Sequence, residues 1–279
     1  MLPTTIDFRI TSECNMRCPF CFGTKESHHI DVSTHIDFLK KIRDYGVNNI
    51  VLTGGEPTYC SGFSDLLRAI HSMGYHITLS TNGSFWSNRE IRDAVFEYVS
   101  FISLPIESSD SIVHNSLRPG IPNHYELIHR ILEDISALKS GAQIKISTVV
   151  TKINIGNLSG ILDTLPLEPN IWKLYQLSSC AFNRQFYASY SITDEQFTKC
   201  VDQLQRQYFD RSTKIISAYE FDRDKKYLFL EPDGSLKTII CNQEAIIGHI
   251  SEEEDPLYRR INQMIDHEKI NANFLNSFT

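Results

Sequence analysis

The sequence predicts an α/β protein: a partial (β/α)6 TIM-type barrel followed by a short carboxyl-terminal α+β extension. Three observations lead there. Short β-rich runs alternate with amphipathic helical stretches six times over residues 1–180, the order that gives a parallel sheet with helices outside it. Gly46, Gly74 and Gly141 fall where a helix carboxyl cap belongs, so the punctuation agrees with the periodicity. Beyond residue 180 the alternation stops, and residues 181–279 read as an extension capping the barrel.

Taken in order, strands are read at 6–11 (IDFRIT), 49–53 (NIVLT), 76–81 (HITLST), 100–106 (SFISLPI), 144–151 (IKISTVVT) and 172–178 (WKLYQLS). These runs are rich in β-branched and aromatic residues, which suit a pleated, half-buried surface. Between them THIDFLKKIRDYG, FSDLLRAIHSMG, REIRDAVFEYV, YELIHRILEDISALKSG and IGNLSGILDTL carry the helical pattern, with apolar residues spaced to share one face. In the extension a helix begins after Thr193, an N-cap residue with Glu195 and Gln196 following. The segment KKYLFLEPDGSLKTII reads as a β-hairpin turning at Asp233-Gly234. The acidic run from Ser251 to Asp255 and the polar tail read as surface and a final helix.

Composition removes several functions. The formal charge of −7 and pI near 5.8 argue against a binder of nucleic acid polymers, which needs clustered Lys and Arg, but leave single nucleotides open. No apolar run approaches the roughly 18–20 residues that span a bilayer. The start, MLPTTIDFRI, lacks the basic and apolar regions of a signal peptide. Seven cysteines, an odd number in a chain too large to need a disulfide framework, fit a reducing cytoplasm.

The chemistry gathers after the first two strands. Cys14, Cys18 and Cys21 are spaced C-x-x-x-C-x-x-C in ECNMRCPFCF, at the end of a barrel strand where barrel enzymes build their sites. So short a loop wraps three thiolates round one centre and offers no fourth. Iron–sulfur clusters are normally held by four thiolates, so three leave one iron open to an outside ligand. The alternative is a structural zinc site with His28, His29 or Cys60 as fourth ligand. Phe20, just before Cys21, is placed to shield the centre or press on a ligand. After the second strand comes Thr53-Gly54-Gly55-Glu56-Pro57, whose glycines let backbone approach a ligand and whose Glu56 offers an acceptor to an ammonium group.

Together, C-x-x-x-C-x-x-C after the first strand and GGEP after the second resemble the radical S-adenosylmethionine superfamily, over roughly residues 5–180. The resemblance implies one four-iron, four-sulfur cluster on Cys14, Cys18 and Cys21, its open iron chelated by the amino and carboxyl groups of S-adenosylmethionine. It implies that Gly54, Gly55, Glu56 and Pro57 bind that amino group. It further implies reductive cleavage to a 5′-deoxyadenosyl radical that abstracts hydrogen, supplied by an electron donor such as flavodoxin or ferredoxin. By order along the chain, Ser80, Thr81 and Asn82 resemble the family's ribose-contacting segment. Ser103 and Arg118 resemble positions that hold the ribose and the methionine carboxylate, Arg118 through two parallel hydrogen bonds.

For the substrate, CNMRCPFCF, KISTVVTKIN, IWKLYQ and ITDEQF resemble viperin and its microbial relatives, which dehydrate nucleoside triphosphates. That resemblance puts Lys145 and Lys173 towards the phosphates and Tyr227 in the pocket, whereas Asn49 and Ser147 stand where such sequences tend to carry a lysine and an asparagine. LEPDGSLKTIICNQEAIIGHI instead resembles the extension of peptide-modifying members, the SPASM or twitch type, in degenerate form. Cys180, Cys200 and Cys241 lack the close spacing of a second cluster and read as buried small residues, so one cluster is expected. Trp86, Phe85 and Tyr187–Tyr190 read as packing at the barrel mouth, and Glu107 as a strand-end carboxylate facing water.

Overall fold

The computed structural model describes residues 4–23, 30–138, 141–180 and 182–275. The parallel strands β1 (Thr5–Thr11), β2 (Asn49–Gly54), β3 (His76–Ser80), β4 (Phe101–Pro105), β5 (Gln143–Val150) and β6 (Ile171–Gln176) stand side by side in chain order. A seventh, β7 (Lys214–Ala218), pairs parallel with β6. On the other side β8 (Phe229–Leu230) pairs parallel with β1, and β9 (Ser235–Ile240) and β10 (Gln243–His249) continue antiparallel. The result is one open ten-stranded sheet, β10-β9-β8-β1-β2-β3-β4-β5-β6-β7, a partial barrel whose both edges come from residues after 180.

Helices α1 (Val32–Asp44), α2 (Phe63–Ser72), α3 (Arg89–Tyr98), α4 (Ser111–Leu117), α5 (His124–Leu138) and the single turn α6 (Ile161–Thr164) cross between the parallel strands. They are followed by α7 (Arg184–Tyr190), α8 (Asp194–Gln207), α9 (Glu254–Met264) and α10 (His267–Leu275). None is long and apolar enough to cross a membrane among the described residues.

Strand alternation sets what faces where. Ile6, Phe8, Ile10, Ile50, Leu52, Ile77, Leu79, Ile102, Ile144, Ile146, Trp172 and Leu174 are buried on the helix side. Burying one such side chain contributes about 1.5–3 kcal/mol. Their alternates, Asp7, Arg9, Thr53, Ser80, Ser103, Lys145, Ser147, Lys173 and Tyr175, line cavities on the opposite side. A polar barrel interior is thus encoded by the second residue of each strand's two-residue repeat.

All six sequence-read strands are present. So are the cap of Thr193, in a capping box with Gln196, and the turn at Asp233-Gly234, where Gly234 takes φ 89°. Two readings change. IGNLSGILDTL forms only a 3-10 turn (Ile155–Asn157) and the four-residue α6, because Gly156 and Gly160 weaken a helix and Pro166 ends it. Gly46 and Gly74 adopt left-handed caps at φ 90° and 76°, while the cap expected at Gly141 rests on 139–140, outside the described residues. Strand β7 and helices α4 and α7 are short and were not legible in the pattern; α8 and β7 add a seventh helix–strand unit to the sheet.

Candidate active site

At the carboxyl ends of the strands lies a cavity of about 360 Å³. Its lining includes Cys14, Cys18, Cys21, Phe20, Gly54, Gly55, Ser80, Asn82, Ser103 and Arg118, ten of the residues singled out in the sequence. Four separate strand ends bring them together.

The cysteine loop is held by the loop after β2, backbone to backbone. Gly55 N donates to Thr11 O at 2.7 Å and Glu56 N donates to Glu13 O at 2.7 Å. A Cβ on Gly54 would sit 2.2 Å from Thr11 O, and one on Gly55 2.1 Å from Glu13 O. No side chain fits either gap, so the glycine pair is required for this loop-to-loop contact. The carboxylate of Glu56 is fully buried and outside the cavity lining: Oε1 accepts from Thr58 N, Thr58 Oγ1 and Thr81 Oγ1, and Oε2 from Asn82 N. It braces the β2 and β3 loops, and Pro57 starts the buried turn beneath it.

Each cysteine sulfur already receives an N–H. Cys14 Sγ accepts from Met16 N at 3.4 Å and Asn82 Nδ2 at 3.8 Å, Cys18 Sγ from Arg118 Nη1 at 3.8 Å, and Cys21 Sγ from Gly23 N at 3.3 Å. Donors aimed at sulfur suit thiolates, which metal binding requires. Burial opposes that charge and pushes the Cys18 thiol up to about 11 against the pull of Arg118, with Cys21, Glu107 and Cys14 adding to the rise. Among the described residues no three Cys, His, Asp or Glu side chains converge tightly enough for a single ion. His28 and His29 lie outside the described residues.

Arg118 stacks over Phe20 at 5.1 Å and gives Nε and Nη2 to one oxygen of Glu107, at 2.9 and 2.5 Å. Glu107 is therefore not a water-facing carboxylate. It is fully buried, and its second oxygen accepts from Val149 N at 2.8 Å. Asn82 also donates to Asn15 Oδ1 at 3.0 Å, and the hydroxyls of Ser103 and Ser147 lie 3.0 Å apart.

A second cavity of about 180 Å³ adjoins the first, sharing Asp7, Thr53, Ser80 and Tyr175 with it. Lys145, Lys173 and Tyr227 all line it, joined by Lys226. Burial lowers the pKa of Lys145 and of Lys173, while Asp7 is raised to about 6 by burial against the pull of Arg9 and both lysines. Among the described residues Lys145 makes no ion pair or side-chain hydrogen bond, Lys173 Nζ sits 5.1 Å from the Tyr175 ring centre, and Lys226 pairs with Asp222 at 2.6 Å. Such a pocket suits an anion. Asn49 points elsewhere, donating to Thr4 O. Sequence reasoning missed Lys226, although it adjoins Tyr227, and missed Asp7, whose alternation with Arg9 in the first strand was the available signal.

The remaining cysteines correct an expectation. Only Cys200 is buried, in α8; Cys180 is half-buried, donating to Cys21 O at 3.5 Å, and Cys241 is exposed at the β9–β10 turn. Trp86 packs on Phe96 and donates to Asp134, as packing should.

The profile of the Radical SAM superfamily matches residues 8–158, more than half the chain. An S-adenosylmethionine-dependent nucleotide dehydratase of Flammeovirga pacifica is 26% identical over 247 residues, 82% of this chain and 80% of that protein. A GTP 3′,8-cyclase of Helicobacter pylori (strain HPAG1) is 29% identical over 171 residues, 58% of this chain and 50% of the cyclase. Among solved structures, Streptococcus suis SuiB bound to S-adenosylmethionine has a TM-score of 0.70 at 17% identity, covering 92% of this chain and 67% of its own. Native anSMEcpe with bound AdoMet and the Cp18Cys peptide gives 0.73 at 17%, covering 94% and 82%. At such identity these structures speak for the fold alone.

Proposed function

The chain belongs to the radical S-adenosylmethionine superfamily of enzymes, and from that premise we propose that it turns S-adenosylmethionine into a radical source acting on a nucleotide-like substrate. When bound, a four-iron, four-sulfur cluster supplies the one electron that cleaves the sulfonium to methionine and a 5′-deoxyadenosyl radical. The donor set fits such a cluster: three sulfurs around one cavity, each facing an N–H, and, among the described residues, no fourth thiol lining it. Cys14, Cys18 and Cys21 would hold it. The backbone of Gly54 and Gly55, with Ser80, Asn82, Ser103 and Arg118, would bind S-adenosylmethionine. Glu56 and Pro57 act on that contact by fixing the loop, since the Glu56 carboxylate is already spent on protein donors.

The observation that carries the substrate reading is the lysine-lined second cavity, which shares Asp7, Thr53, Ser80 and Tyr175 with the first. Phosphates bound to Lys145, Lys173 and Lys226 leave a ribose at the junction, next to the radical source. Ammonium groups hold phosphate as point charges, at about 1.5–3 kcal/mol per charged hydrogen bond. The nucleotide dehydratase likeness supports the same choice. Abstraction of a ribose hydrogen followed by elimination or rearrangement is the proposed outcome, in the cytoplasm, with flavodoxin or ferredoxin as the kind of donor.

The test is anaerobic reconstitution with iron, sulfide and dithionite, then a panel of nucleoside triphosphates and unrelated peptides. Release of 5′-deoxyadenosine that rises only with one or more nucleotides supports the proposal. Stimulation by peptides alone overturns the substrate class, and a colourless protein with stoichiometric zinc overturns the cofactor.

A further inference from the structure

Two histidines outside the cavity lining link two of its walls. His114, in α4, and His124, which opens α5, are both fully buried, with rings 5.1 Å apart and nearly parallel. Glu107 N lies 3.0 Å from His114 Nδ1, His114 Nε2 lies 2.8 Å from His124 Nδ1, and His124 Nε2 lies 2.9 Å from Asn82 O. The protons in this chain have only one arrangement. A backbone amide can only donate, so His114 Nδ1 is bare and its proton sits on Nε2. That proton goes to His124 Nδ1, and the His124 proton on Nε2 goes to the Asn82 carbonyl. Each ring is neutral, and a second proton on either one sets two donors against each other. Burial agrees, lowering His114 to about 2 and His124 to about 4.

The ends of the chain are the two cofactor-facing arms. Asn82 reaches Asn15 and Cys14, while Glu107 grips Arg118, which reaches Cys18. We propose that His114 and His124 are positioning residues that hold the Asn82 arm and the Glu107–Arg118 arm at a fixed separation across the S-adenosylmethionine site. This inference rests on the reading above, in which Asn82 and Arg118 contact S-adenosylmethionine. Neither histidine lines the cavity. Each acts through the residue it bonds.

The experiment measures KM for S-adenosylmethionine and kcat for 5′-deoxyadenosine release in reconstituted full-length His124→Ala, His124→Gln, Asn82→Ala, Arg118→Ala and the Asn82→Ala/His124→Ala double variant. Loss of an outer partner typically costs 10- to 100-fold, so His124→Ala is expected to raise KM about 10-fold with kcat and iron content little changed. His124→Gln, which keeps a donor for Asn82 O, restores most of it. Because His124 acts on the site in part through Asn82, the double variant is expected to fall short of the product of the two single effects. Full additivity, or unchanged KM in His124→Ala while Asn82→Ala and Arg118→Ala raise it, overturns the proposal. Unchanged KM in Asn82→Ala and Arg118→Ala instead overturns the site reading beneath it. Should His124→Ala not fold, the protonation state of the two rings in the wild-type protein decides the proposal instead. Imidazole nitrogen NMR of the iron-free wild-type protein at pH 6 gives a readout without activity. Both rings neutral and protonated on Nε2 support the chain; a charged ring or an Nδ1–H form in either overturns it.

Discussion

Arg118 and Glu107 form the buried ion pair on which one wall of the site is built: two guanidinium nitrogens converge on a single carboxylate oxygen at 2.9 and 2.5 Å. The other oxygen takes the Val149 amide, so the carboxylate ties Arg118, beyond α4, to the end of β5. Removing one partner of a fully buried pair costs about 3–5 kcal/mol, and Arg118, which lines the cavity and is part-exposed, keeps some access to water. Glu107→Ala is therefore expected to lose stability, by at most about that much, in urea denaturation of the iron-free chain. Glu107→Gln, whose single amide oxygen still accepts from Arg118 while its NH2 replaces the oxygen that accepted from Val149 N, fills the same space with one acceptor lost and should lose less. Equal losses in the two variants would show that the ion pair is not what the wall depends on.

The phosphate reading makes a prediction that separates the two cavities. Lys145 lines only the smaller one, so Lys145→Ala removes a charged hydrogen bond to the substrate and leaves the cysteine-lined cavity intact. Nucleotide affinity should fall by about 1.5–3 kcal/mol, roughly 10- to 100-fold, with S-adenosylmethionine affinity unchanged. Equilibrium binding of both molecules to the reconstituted protein measures this. An equal fall in both would mean that the two cavities are not distinct subsites.

How much of this was legible in the sequence depends on how far apart the cause and its partner lie. Cys14, Gly54, Ser80 and Ser103 were readable because each sits near a strand's carboxyl end, and parallel strands bring all such ends to one rim. Their meeting in one cavity needed no long-range information. Glu107 was misread because its burial depends on Arg118 and Val149, neither of which its local pattern specifies. The His114–His124 pair was invisible for the same reason: ten residues and a loop separate them, and only the fold stacks the rings. Strand β7 was lost to its brevity and its half-exposed edge position, which blur the apolar signal.

Asp7 gives the barrel interior a pH dependence of a definite sign. Burial raises its folded pKa to about 6, above the roughly 3.9 of an unfolded chain. The folded state then binds the proton more tightly, so this group adds stability as pH falls from about 6 towards 4 and withdraws it above 6. Asp7→Asn, which cannot ionise, should raise Tm at pH 7.5 and lose that advantage by pH 4.5. Each 1 kcal/mol gained reads as roughly 2–4 °C. Thermal melts of both iron-free proteins at the two pH values decide it. A larger advantage at pH 4.5 than at 7.5 would reverse the sign and refute the assignment.

Gly120 packs on the cysteine loop at Asn15 and Met16, beyond the stretch that Gly54 and Gly55 meet. Its φ of 128° is in the region that glycine tolerates and other residues avoid. A Cβ there would stand 2.5 Å from Asn15 O and 2.8 Å from Met16 Cα, both backbone atoms that cannot swing away. The preceding residue closes the contact, Pro119 O accepting from Arg17 N at 2.9 Å. Gly120→Ala must therefore push residues 15–17 outward, and Cys14 and Cys18 flank them. The expected outcome is a chain that still folds, judged by an unchanged far-ultraviolet circular dichroism spectrum, but reconstitutes with well under the wild-type iron and sulfide. Gly141→Ala, where an added Cβ meets nothing within 4 Å, is the matched control and should load normally. If Gly120→Ala loads as well as that control, the close packing on the loop is not what keeps the three sulfurs in place.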